Sequence, residues 1–154
     1  MGSIRFRQSK RRSRGQSLAE FALVFPILML ILGGIIQFGL IFWGQNTLNQ
    51  VVRDTGRWAA TQQADCQTSS GKTAEAALIT TTATTVANNS SLIRPITNVT
   101  VDWTGAPCPP TSNQQEAWVH ITITSTVPIF FPFVPGNGNI SSETRFRMEP
   151  IAAP

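Results

Sequence analysis

Arg14-Gly15-Gln16-Ser17-Leu18-Ala19-Glu20-Phe21 is the stretch on which the fold turns. A basic leader breaks at a glycine, a single carboxylate follows at Glu20, and no further charge occurs until Arg53. Leu18 to Phe42 is apolar enough to cross a membrane, and as a helix it measures about 37 Å against a hydrocarbon core of about 30 Å. It crosses with tilt. Pro26 removes one backbone hydrogen bond inside it and is expected to kink the helix, which membrane helices tolerate. Gly33, Gly34 and Gly39 thin the helix for close packing, and Gln37 adds a polar group among them; ordinary membrane-helix composition is the competing reading. The apolar run is far longer than the about 7–15 residues of a secretory signal, and no small-x-small site closes it, so the segment stays attached.

The formal charge of +4 on 154 residues raises the question of a nucleic-acid partner, and its location answers it. Arg5, Arg7, Lys10, Arg11, Arg12 and Arg14 all precede Gly15, so the remaining chain carries six basic residues against eight acids. The basic charge belongs to the leader, which orients the helix with its N-terminus in the cytoplasm and the residues beyond Trp43 outside it. No polybasic face remains for phosphates, and no nucleic-acid partner is expected.

Beyond Trp43 the helical period continues through Leu48, Val51 or Val52, Thr55, Trp58 or Ala59 and Gln62, with Asn49, Arg53, Asp54 and Arg57 on other faces. One long helix therefore leaves the membrane and packs its outer half on a domain. Gln67 to Lys72 reads as a polar break, and Thr73 as the cap of a second helix reaching Val86. Period-2 alternation then predicts strands at Val99–Trp103, at Trp118–Val127 with Val119, Ile121 and Ile123 inward, and around Ile140–Met148. They fit an antiparallel sheet of at least three strands with one face on the helix. The expected organisation is a basic leader over 1–15, a transmembrane helix and amphipathic extension over 16–64, and an extracytoplasmic α+β domain over 65–154.

Cys66 and Cys108 both come after the apolar run. In an oxidising compartment they form a disulfide; otherwise they are two unrelated thiols. Between the last two strands lies Pro128-Ile129-Phe130-Phe131-Pro132-Phe133-Val134-Pro135-Gly136, too rich in proline for a central strand and strongly apolar. Phe130, Phe131 and Phe133 either cover the core or present an apolar patch to a neighbour or to the membrane surface. His120 stands alone in a strand, and no nucleophile, phosphate-loop or metal pattern occurs, so neither catalysis nor a cofactor is expected. Glu20 has two readings. It is an interfacial carboxylate, or, after cleavage behind Gly15, the partner of a new α-amino group at Gln16 on a neighbouring subunit; an acid at this depth costs about 1–3 kcal/mol without a partner.

Gly15-Gln16-Ser17-Leu18-Ala19-Glu20-Phe21 resembles the class III signal of type IV pilin-like proteins, in which a prepilin peptidase cuts after the glycine and glutamate occupies position five. The wider run from Arg14 to Pro26 resembles TadE-like pseudopilins of the Tad (tight adherence) Flp pilus system, although Phe21 stands where Flp-type motifs often carry tyrosine. Ser141–Glu149 is similar to the way such domains end. The resemblance implies cleavage between Gly15 and Gln16, retention of the helix in the bacterial inner membrane, and use as a minor pilin in pilus assembly and surface adherence. Its implied partners are the prepilin peptidase, the major Flp pilin, other minor pilins, the inner-membrane assembly platform and membrane lipid. A permanently anchored cell-envelope binding module, never cut at Gly15, is the alternative.

Overall fold

The computed structural model describes residues 12–62, 65–89, 96–131 and 137–151. Helix α1 runs without a break from Arg12 to Thr61, opening inside the stretch read as leader and continuing through Pro26. Helix α2 spans Ser69–Asn88, and strands β1 (Asn98–Thr104), β2 (Trp118–Thr126) and β3 (Asn139–Arg147) form one antiparallel meander in the order β1-β2-β3. The α+β architecture and the continuous helix match the expectation from periodicity.

Apolar alternation decides which sheet face is inward. Val119, Ile121, Ile123 and Val127 are all but fully buried, and the register sets Trp103 and Phe146 beside Val119, Val101 and Thr144 beside Ile121, and Val99 and Ser142 beside Ile123. This face meets the outer half of α1 at Leu48, Val51, Val52 and Ala59, while α2 adds Ile79, Ala83 and Ala87. Two glycines let the sheet close in. A β-carbon on Gly56 would lie 2.6 Å from the Phe146 ring, and one on Gly44 would strike Val127 and come 3.5 Å from Ile140. From Gly44 to Gly56 a helix rises about 18 Å, and from Ile140 to Phe146 a strand rises about 20 Å. β3 therefore runs alongside α1 with matched pitch, tied by hydrogen bonds from Gln45 Nε2 to the Ser141 carbonyl (2.8 Å) and from Ser142 Oγ to Asn49 Oδ1 (2.6 Å).

The start of α2 differs from the sequence reading. Thr68, not Thr73, is the N-cap, its Oγ1 accepting from the Gly71 N–H at 3.1 Å. Asp65 fixes this turn by accepting from Thr68 Oγ1 at 2.7 Å and from the backbone N–H groups of Gln67 (3.0 Å) and Thr68 (3.3 Å). Gly71, read as part of a break, lies inside the helix, at a place where a β-carbon would collide with the Asp65 carbonyl. Thr73, Thr80, Thr81, Thr84 and Thr85 each return their hydroxyl to the carbonyl four residues back, which satisfies them without breaking the helix.

Candidate functional site

Along α1 two zones differ in what surrounds them. From Leu18 to Leu32 the large apolar side chains stand exposed, as in Leu23 at 71% and Leu30 at 59%. From Gly33 outward one stripe is covered: Gly33, Gln37, Gly44, Leu48, Val51, Val52, Thr55 and Ala59 are buried while Ile35, Ile36, Phe38, Phe42 and Trp43 remain open. Spacings of four, seven and four residues keep the stripe on one helix face.

Its lower end is covered by the segment leaving β2. Val127 packs at Gly44, Gln37 grips the next residues, and Phe131 fills the space over Gly33, where a β-carbon would come within 2.6 Å of its ring. Gln37 Nε2 donates to the Pro128 carbonyl at 3.1 Å, and Gln37 Oε1 accepts the Phe130 N–H at 2.9 Å. Its amide is fully buried, and both ends are used. Phe130 itself points away, 66% exposed, with Ile129 at 38%. Phe133 and the rest of 132–136 lie outside the described residues. Gly34 and Gly39, expected in the same packing set, have nothing within 4 Å of a β-carbon position.

At the other end, Gly15 likewise has open space around it, and Gln16 Nε2 donates to Glu20 Oε1 at 3.1 Å across one helical turn. Glu20, Leu18 and Phe21 are exposed on α1. Cys66 and Cys108 are joined in a disulfide with Cα atoms 5.3 Å apart, linking the α1–α2 and β1–β2 connections. Both sulfurs pack on Met148 Sδ, at 3.9 and 3.6 Å; bridged sulfurs carry no proton, so these are packing contacts.

The solvent face of the sheet carries His120, whose Nε2 lies 3.7 Å from Glu143 Oε2, and Arg145, whose guanidinium sits 4.9 Å from the Trp118 ring centre and donates to Thr104 Oγ1 at 3.3 Å. The cross-strand diagonal that brings Glu143 toward His120 follows from register, which single-strand patterns do not fix. Among the described residues no group of three or more His, Cys, Asp or Glu side chains is placed to hold a metal ion. Sequence patterns also missed Glu75, buried in α2 with no hydrogen-bond partner for Oε1 among the described residues; burial pushes its carboxyl up. Asp65, by contrast, is held below the usual carboxylate range by the Thr68 hydroxyl first and then by the Gln67 and Thr68 N–H groups.

Fold and site together define a protein with one long apolar helix, fit for a single-pass membrane anchor, and a small α+β head packed on its outer half. Residues 15–57 match the family described as TadE-like protein, a segment that begins at Gly15 and covers the exposed apolar zone and most of the covered stripe. The similarity is confined to that segment of the chain. No curated protein and no solved structure matches the chain.

Proposed function

We propose that this protein is a minor pilin or pseudopilin of a Tad-type pilus, cut by a prepilin peptidase between Gly15 and Gln16 and used in assembly and adherence rather than in catalysis. The observation that carries this reading is the family match starting at Gly15, with Glu20 exposed on the same helix. Cleavage leaves a positive α-amino group on Gln16, and Glu20 becomes the fifth residue of the mature chain. Glu20 then draws the amino terminus of an adjoining subunit into register, an attraction that low dielectric strengthens. The Gln16 side chain, bonded to Glu20, holds that carboxylate at the helix surface. In this scheme the leader sets an N-in orientation, the apolar helix packs laterally among the major pilin and other minor pilins, and the platform in the inner membrane extracts it.

N-terminal sequencing of the protein recovered from the membrane tests the reading. The expected first residue is Gln16, and Gly15→Leu should retain the leader and abolish piliation. A wild-type chain that keeps residues 1–15, or normal pili from the uncut variant, would favour the permanently anchored binding module instead.

A further inference from the structure

The segment leaving β2 lies against α1, so its surroundings rest on the reading of that helix as a membrane span. Two rulers along the helix give the depth of Phe131. Counted up from Leu18, Gly33 stands about 22 Å into a hydrocarbon core of about 30 Å. Counted down from Trp43, 57% exposed and suited to the headgroup level, Gly33 lies about 15 Å lower. Both place the Phe131 ring below the lipid–water boundary on the side of the head, at the level where Leu32, Ile35 and Ile36 face outward.

Backbone at that depth must find its hydrogen bonds within the protein. The segment meets part of this demand in two ways. Gln37 takes the Pro128 carbonyl and the Phe130 N–H, and Pro128 has no N–H to satisfy. The side chains that remain exposed are apolar: Phe130 at 66% and Ile129 at 38%. Between Val127 and Gly136 the sequence contains no charged or hydrogen-bonding side chain. A loop meant for water carries the opposite composition.

We infer that residues 128–131, the segment leaving β2, form a foot inserted among the acyl chains of the leaflet nearest the head, with Gln37 as its internal hydrogen-bonding partner and Phe130 as its lipid-facing anchor. The partner is lipid hydrocarbon. The foot fixes how far the head sits above the membrane, because it is held to α1 at Gly33, Gln37 and Gly44 while Phe130 is held in the bilayer.

The test uses the full chain reconstituted at low density in vesicles of phosphatidylethanolamine and phosphatidylglycerol. A photoreactive benzoyl-phenylalanine replaces Phe130, Ile27 or Glu143 in separate preparations, and adducts are read by mass spectrometry. All three positions are exposed, so folding is spared. Acyl-chain adducts are expected at 27 and 130 in comparable yield and not at 143. Lipid adducts at 27 without any at 130, or adducts from 130 to a second copy of the chain, overturn the foot and leave the membrane span standing. Loss of lipid adducts at both 27 and 130 overturns the span and the foot with it.

Discussion

Gln37→Leu keeps the volume of the side chain and removes both hydrogen bonds that hold the β2–β3 connection to α1. The Pro128 carbonyl and the Phe130 N–H then have no partner at the helix surface. Each buried group left unmet costs about 1–3 kcal/mol, partly offset because leucine need not be desolvated. A net weakening of about 2–4 kcal/mol is expected, which is about 30-fold to 1,000-fold in the population of the undocked segment. The core around Leu48, Ile121 and Ile123 does not depend on these bonds, so global unfolding should move little. Chymotrypsin cleavage between Phe130 and Phe131 in detergent micelles reports the undocked population when reclosing is fast. The expected rise in cleavage should be specific to that bond, and Phe38→Leu, on an exposed position of the same helix, should not produce it. An unchanged rate in Gln37→Leu would refute the claim that Gln37 holds the segment down.

The head gives two further expected outcomes. Replacing Cys66 and Cys108 together by alanine opens a loop with a sequence separation of 42, and should lower unfolding stability by about 4 kcal/mol in the chain-entropy treatment, read as a lower urea midpoint at constant slope. Glu75 and Asp65 should act in opposite pH directions. The raised carboxyl of Glu75 supports the fold below its unfolded pKa and loses that support as pH rises through its folded value, so Glu75→Gln should raise stability at neutral pH and flatten the acid-side profile. The lowered carboxyl of Asp65 supports the fold above its unfolded pKa and loses that support as pH falls through its folded value, so Asp65→Asn should remove an acid-induced loss. Thermal melts across the acid range separate the two.

Periodicity exposed the long helix and the inward rows of the sheet because each rests on one repeating contact: Leu48 to Ala59 on α1 and Val119 to Val127 in β2 keep 3.6- and 2-residue spacings without competition. The stripe of Gly33 and Gln37 was visible too, but its occupant was not. Gln37 meets Pro128 and Phe130 across more than 90 residues of chain, and a small-residue stripe looks the same whether a loop or another helix fills it. The start of α2 escaped for a different reason. Asp65, Thr68 and Gly71 cooperate through geometry, and a threonine at 73 offers the same local signal as the one at 68. Glu75 reads as a solvent residue on charge alone, whereas its place on the Ile79–Ala83 face is decided by how α2 rolls onto α1.

Because α1 is one unbroken helix from Arg12 to Thr61, its two ends share a single screw. An ideal helix turns about 100° per residue, so Glu20 and Gln37 point about 100° apart around the axis. The azimuth of the head is thereby keyed to the azimuth of the carboxylate. If Glu20 is captured by a neighbour as proposed, that neighbour also chooses which flank of the sheet it meets, and at what height. In the proposed assembly, docking at the base and orientation at the tip are linked through one helix, and Pro26, where a backbone hydrogen bond is missing, is the place between them where that linkage can bend.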